Sequence, residues 1–272
     1  MIKLFKQSPL SCRIGIGIVL LNIMVAVFAP MIAPFGETKI VGDVWESFSS
    51  RFYFGTDHIG RDLFTRMVYG ARNTIALAFI TTILSFLFGS FLGFVAAAKG
   101  GWIDQLLSRI IDILMAFPTL IFALMILSVL GSSIPTLIFT IAILDSTRVY
   151  RLSRAVAMDI EVMEFVEAAR LRGEGLWWII RQEILPNALP PLIAEFGLRF
   201  CFVFLFIASL SFLGLGLQPP LADWGGMVRE NAGAITFGIY IPLIPAGAIA
   251  LLTVGVNLIV DWFLHLSSGL HE

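Results

Sequence analysis

Residues 75–98 read IALAFITTILSFLFGSFLGFVAAA, an unbroken stretch without a charged side chain, bounded by Arg72 on one side and Lys99 on the other. At a rise of about 1.5 Å per residue this run is about 36 Å long as a helix, enough to cross a hydrocarbon core about 30 Å thick. Lipid offers no partner to an open backbone, and the run is too long and too uniformly apolar for a barrel strand, so it reads as a membrane helix. Five further runs behave alike. Residues 14–33 follow Lys3, Lys6 and Arg13 and stop at Pro34, residues 106–130 contain Pro118, and residues 134–144 are short and run into Asp145 and Arg148. Residues 192–215 and 239–260 complete the set. The expectation is an all-α, polytopic membrane protein of about six transmembrane helices. The composition agrees, since 58% of the 272 residues are apolar and only 14% charged, where soluble domains hold about 45–50% and about 25%. A basic start also suits a cleaved signal peptide, but the apolar stretch of the first run exceeds the usual 7–15 or so residues, which favours a retained helix.

The net charge of −1, from 18 Lys+Arg against 19 Asp+Glu, gives no electrostatic footprint for nucleic acid. Cys12 and Cys201 lie too far apart for a disulfide framework and have no metal-ligand spacing, so both read as free thiols. Position matters more than total charge. With the N-terminus cytoplasmic, the inner side holds Lys3, Lys6, Arg13, Lys99, Arg109, Arg148, Arg151, Arg154, Arg170, Arg172, Arg181 and Arg199, and the outer side holds Lys39, Arg51, Arg61, Arg66, Arg72 and Arg229. This two-to-one bias predicts both termini inside. The chain then divides into a cytoplasmic tail over 1–13, a first helix over 14–34, an external segment over 35–73, a membrane domain over 74–262 with an inner loop at 150–191, and a second cytoplasmic tail over 263–272.

The inner loop carries the most specific pattern. It reads Glu167-Ala168-Ala169-Arg170-Leu171-Arg172-Gly173-Glu174-Gly175, then Leu176-Trp177-Trp178-Ile179-Ile180, then Ile184-Leu185-Pro186-Asn187. Val162, Phe165, Val166 and Ala169 recur at helical spacing, which predicts a short amphipathic helix ended by Gly173 and Gly175. Glycine permits the positive backbone angle of a tight reversal. A second short helix over 176–185 then heads back toward the membrane and stops at Pro186. From composition alone the hairpin is equally a surface connector.

These residues resemble the loop signature of the membrane subunits of bacterial ATP-binding-cassette importers: Glu167-Ala168-Ala169, three residues, Gly173, then Ile184-Leu185-Pro186. Two other elements are similar to the second permease subunit of dipeptide, oligopeptide and nickel importers. One is Phe54-Gly55-Thr56-Asp57-His58-Ile59-Gly60-Arg61-Asp62; the other is Ser211-Phe212-Leu213-Gly214-Leu215-Gly216, with Gln218-Pro219-Pro220 and Trp224-Gly225 following. The resemblance covers about residues 54–261. It implies the type I permease fold and a multi-pass subunit of the bacterial inner membrane, with no catalysis of its own. It also implies a homologous permease subunit as the other half of the pathway, two cytoplasmic ATPase subunits and an external substrate-binding protein. Glu167, Ala168, Ala169, Gly173, Ile184 and Pro186 become the ATPase-coupling residues. ATP and Mg would be bound by the ATPase partners and no cofactor by this chain, which lacks a glycine-rich loop ending in Gly-Lys-Ser/Thr.

Glu195 and Arg199, four apart in the fifth run, can meet on one helix face, either as a structural pair near the inner end or as lining of the pathway. Arg109 and Asp112 invite the structural reading more strongly. His58 beside Asp57 is too little for a metal site, and His265 and His271 suggest no ligand pair. Pro118 frees a backbone carbonyl and predicts a kink, while Gly89, Ser90 and Gly93 permit close helix approach. The segment from Ser209 to Gly226 reads as a seal or contact at the outer end. A self-sufficient secondary transporter is the alternative, but neither internal repeats nor clearly interrupted helices are evident. A membrane enzyme is a weaker one, because no nucleophile with a neighbouring histidine base occurs in the spans.

Overall fold

A computed structural model describes residues 9–267, and Lys3, Lys6 and His271 lie outside the described residues. The architecture is helical, with no strand among those residues. Helix α1 covers Leu10–Val27 and is followed by the single turn α2, Ala29–Ile32. Helix α3 runs unbroken from Leu63 to Lys99. The Asp62 side chain caps it by accepting from the Thr65 N–H at 2.7 Å, and Gly100, at φ 60°, ends it. At 37 residues it is about 55 Å long, so it extends beyond any hydrocarbon core.

The third predicted span is broken rather than kinked. Helices α4, Gly101–Ala116, and α5, Thr119–Leu130, meet at 88°. Pro118 lacks an N–H and forces Phe117 into an extended conformation (φ −88°, ψ 139°), which ends α4 at Ala116.

The fourth span does not end near Leu144. Helix α6 runs from Ile134 to Glu161, so the first part of the predicted inner loop, 150–161, is helix. Several of its charges find partners on neighbouring helices: Asp145 accepts from Ser85 Oγ at 2.8 Å, Arg151 pairs with Asp112 at 2.7 Å, and Arg154 pairs with Asp104 at 2.5 Å. Four described helices are long and apolar enough to cross a membrane, and the bent α4–α5 pair makes a fifth. The sixth expected span corresponds to α6, whose 28 residues are ample in length but whose second half, from Asp145, is rich in charged side chains.

Helices α3 and α6 lie side by side and parallel, with Ser85, Gly89 and Gly93 opposite Asp145, Val149 and Ser153. Glycine is required there. A Cβ on Gly89 would stand 2.6 Å from the Ser146 carbonyl oxygen, and one on Gly93 would stand 2.9 Å from the Arg154 nitrogen. Thr81 and Thr82 are buried, with their hydroxyls donating to the carbonyls of Leu77 and Ala78, so polar groups inside the bundle are satisfied within one helix.

After α6 come α7, Glu164–Leu171, and α8, Leu176–Ile179, which passes through one π turn, Ile180–Ile184, into α9, Leu185–Phe212. Pro186 therefore does not stop a helix. It sits in the first turn of α9, just past the π turn, where Leu185 N–H bonds back to the Ile180 carbonyl five residues earlier. That wider register leaves room for a residue with no N–H to give. Two short elements, α10 (Trp224–Asn231) and a 3-10 segment (Ala232–Phe237), precede α11, Leu243–Ser267. Helix α11 crosses α1 closely enough that a Cβ on Gly15 would lie 2.6 Å from the Gly255 carbonyl oxygen. The main core joins α3, α5, α6, α9 and α10 around Phe204, Ile207, Leu210 and Trp224.

Candidate functional site

At one end of the bundle α7 and α8 form a hairpin whose tip is fixed by backbone chemistry. Gly173 takes φ +83°, its N–H donates to the Arg170 carbonyl at 2.9 Å, and the Glu174 N–H donates to the Ala169 carbonyl at 3.2 Å. These two bonds satisfy the last carbonyls of α7 and reverse the chain. Glu164 and Glu167 occupy the first turn of α7 and Arg170 its last, each sign complementing the helix dipole. Arg170 also pairs with Glu161 at the end of α6.

The hairpin has two unlike faces. Val166, Ala169, Ile179, Ile180 and Ile184 are buried in one cluster with Phe94 and Ala97 of α3 and Ala157 and Ile160 of α6. Glu167, Ala168 and Pro186 are exposed, and beside them Val162, Leu171 and Trp177 present apolar side chains, Leu171 at 83% exposure. Of the residues the sequence pointed to, Ala169 and Ile184 thus anchor the hairpin to the bundle. Glu167 and Ala168 are offered outward, Gly173 sets the turn, and Pro186 lies on the exposed side of the following helix.

Glu195 and Arg199 pair at 2.7 Å on α9, yet the arrangement is larger than one helix face. Arg199 also approaches Asp145 of α6 at 3.7 Å, and Arg148 approaches the same carboxylate at 3.9 Å. Because α8, the π turn and α9 form a continuous run from Leu176 to Phe212, Arg199 stands well inside the rod rather than near its start. Asp112 pairs with Arg151 of α6 at 2.7 Å, not with Arg109.

The opposite end of the bundle holds a charge cluster that local sequence reading missed. Asp57 Oδ2 accepts from Arg61 Nε at 2.6 Å, and Glu230 Oε2 accepts from Arg61 Nη2 at 3.1 Å and Arg66 Nη2 at 2.9 Å. The Asp57 and Arg66 side chains are fully buried. These contacts tie the 35–62 segment to α3 and α10, helped by Asn231, whose Oδ1 accepts from the His58 N–H at 3.0 Å. Asp57, His58 and Glu230 come close enough together to hold a cation. Two guanidinium groups already engage those carboxylates, so a metal ion would have to displace both. The i,i+4 spacing of Asp57 and Arg61 was the available sequence signal.

The model of the binding-protein-dependent transport system inner membrane component family matches residues 89–268. The chain is 37% identical to the dipeptide transport system permease protein DppC of Alkalihalophilus pseudofirmus, over 95% of this chain and 85% of that protein. It is 32% identical to the dipeptide transport system permease protein DppC of Haemophilus influenzae, over 94% of this chain and 89% of the other. Among solved structures, the MetNI methionine ABC transporter in an inward-facing conformation superimposes with a TM-score of 0.60 at 19% identity, covering 74% of this chain and 95% of that one. That similarity carries the fold.

Proposed function

The chain belongs to the family of binding-protein-dependent transport system inner membrane components, and on that premise we propose that it forms one half of an ATP-driven pathway for di- or oligopeptides or similar small solutes. As a multi-pass permease subunit of an ABC importer, the chain is neither a self-sufficient secondary transporter nor a membrane enzyme. Its peptide cargo is inferred from relatives that carry dipeptides by name. A homologous permease subunit supplies the other half, an external binding protein delivers the solute, and two ATPase subunits hold ATP and Mg on the cytoplasmic side. The 12-to-6 distribution of Lys and Arg read from the sequence supports cytoplasmic termini and a cytoplasmic hairpin.

The observation that carries this reading is the two-faced hairpin. Its buried face is packed into α3 and α6, and its exposed face, with Glu167, Ala168 and Leu171, has no partner among the described residues. Small Ala168 lets a partner groove approach closely, and the apolar side chains around it supply burial. Motion of the ATPases pushes on this face. The hairpin joins α6 directly to the continuous run ending in α9, so the push moves helices as rigid bodies. The alternative role for Glu195 and Arg199, lining the pathway, gains support from the approach of Arg199 to Asp145, a residue that lines the cavity between α5, α6 and α9.

Purification of the chain from its native membrane tests the reading. The expected result is co-purification of a second permease subunit and ATPase subunits, with ATP hydrolysis stimulated by the peptide-loaded binding protein. A lone chain that moves peptide without ATP would overturn it.

A further inference from the structure

Where α5 begins after the break at Pro118, it leaves a cavity of about 270 Å³ between α5, α6 and α9. Thr119 and Leu120 of α5, Leu144 of α6 and Phe206 of α9 form its walls, with Asp145 and Arg148 among the lining residues. Non-helical backbone at membrane depth is tolerated where it borders protein or a hydrated cavity, which fits a break placed here. Arg148 stands midway along α6, 14 residues after Ile134 and 13 before Glu161.

The two charges differ in how free they are. The Asp145 side chain is 7% exposed, accepts from Ser85 at 2.8 Å and has two guanidinium groups within 4 Å. Arg199 is committed to Glu195 at 2.7 Å. The Arg148 side chain is 44% exposed, its nearest carboxylate oxygen is 3.9 Å away, and among the described residues no acceptor lies within hydrogen-bonding distance of it. A guanidinium has five N–H donors in a planar fork that matches a carboxylate. Leaving those donors in hydrocarbon is costly, so the side chain faces water or a partner. The free charge that the cavity offers is therefore positive, and apart from Thr119 and the already engaged Asp145 its walls are apolar.

We propose that this cavity is a transit subsite in which Arg148 takes the free carboxylate of a peptide-like solute, with the apolar wall receiving the adjacent side chain. The inference rests on the importer reading. Asp145 is a positioning residue: it holds Arg148 at the wall and gives it a resting partner between passages. The volume lies just under the range of about 300–1,000 Å³ typical of small-molecule sites. It therefore admits one terminus and leaves the remainder of the solute to the facing half of the pathway.

The test uses the whole importer complex in nanodiscs and two probes, an alanine dipeptide and the same dipeptide with an amidated C-terminus. Binding without the external binding protein is read by saturation-transfer NMR, and ATP-driven uptake is read in proteoliposomes. The wild-type complex is expected to bind the free carboxylate more tightly, on the order of tenfold, the scale of one charge-assisted contact. Arg148→Gln should bind both probes alike, and Arg148→Lys should keep part of the preference. In uptake the preference of the binding protein is common to both complexes and cancels in the wild-type-to-variant ratio. Wild-type binding of neither probe, equal binding of both, or a preference undiminished in Arg148→Gln would overturn the subsite. Absence of ATP-driven uptake of any peptide by the wild-type complex would instead overturn the importer reading, so the two failures are distinguishable.

Discussion

Replacing Gly173 with valine isolates what the hairpin turn contributes. A side chain at this position meets nothing within 4 Å, so volume costs nothing and the penalty is confined to the backbone angle of +83°. For an L-residue in the left-handed region that penalty is about 1–2 kcal/mol, with a β-branched residue at the upper end. The chain can escape it only by releasing the bonds from Gly173 to Arg170 and from Glu174 to Ala169, which aim the exposed face of α7. Either way the docking-competent hairpin loses about 1–2 kcal/mol, equivalent to about 5–30-fold weaker partner binding. Asparagine tolerates the same angle, so Gly173→Asn should remain close to wild type. The assay is the amount of ATPase that co-purifies in detergent together with peptide-stimulated ATP hydrolysis. Thermal unfolding serves as the control, and it should stay unchanged because the core of the bundle is untouched. Valine and asparagine both at wild-type values, or both equally damaging, would refute the argument from the backbone angle.

Three further outcomes follow from the packing. Arg199→Leu leaves Glu195 without its cation and Asp145 with only Arg148 at 3.9 Å, whereas Glu195→Leu leaves Arg199 still facing Asp145. Removal of one partner from a buried pair costs about 3–5 kcal/mol, so the arginine variant should have the lower unfolding midpoint, and equal midpoints would show that Asp145 does not depend on Arg199. Gly93→Leu places a Cβ 2.9 Å from the Arg154 nitrogen and the Tyr150 carbonyl oxygen, a backbone clash worth about 1–3 kcal/mol; a wild-type midpoint would rule out the close α3–α6 contact. Burial pushes the Asp223 carboxyl above its usual range, although its side chain caps α10 by accepting from the Gly226 N–H at 3.0 Å. A raised folded pKa means that this group favours folding at low pH and that its contribution is lost as pH rises past the ordinary carboxylate range. Asp223→Asn keeps a cap without a buried charge, so its stability should match or exceed wild type at pH 7 with a flatter pH dependence, while Asp223→Ala should lose about 0.5–2 kcal/mol; asparagine as destabilising as alanine would contradict this.

What the sequence made legible divides along physical lines. Apolar runs mark helices because lipid permits little else, and Gly173 marks a turn because the need for a positive angle is local. Helix ends were less legible. Asp145 and Arg148 read as the end of the fourth span, since hydropathy counts charges without their neighbours. The partners, Ser85 on α3 and Arg199 on α9, lie 60 and 54 residues from Asp145 and carry the helix on to Glu161. Pro186 read as a stop because the π turn that accommodates it has no sequence signature. Pro118 announced an irregularity but not an 88° angle, which depends on how α5 packs against α6 and α9. The charge cluster around Glu230 was beyond reach for the same reason, being 169 residues from Arg61 in sequence.

The central claim, that the α7–α8 hairpin is the docking point for the ATPases, is tested most directly by cross-linking in the assembled importer. Cys12 and Cys201 are both buried, so a single introduced cysteine dominates thiol chemistry. Ala168→Cys lies on the exposed face of α7, and Tyr53→Cys, at a position 63% exposed, reports the opposite end of the bundle. The account predicts that a short thiol-to-amine cross-linker joins Ala168→Cys to an ATPase subunit and leaves Tyr53→Cys free of it. An ATPase cross-link from Tyr53→Cys, with none from Ala168→Cys, would contradict it.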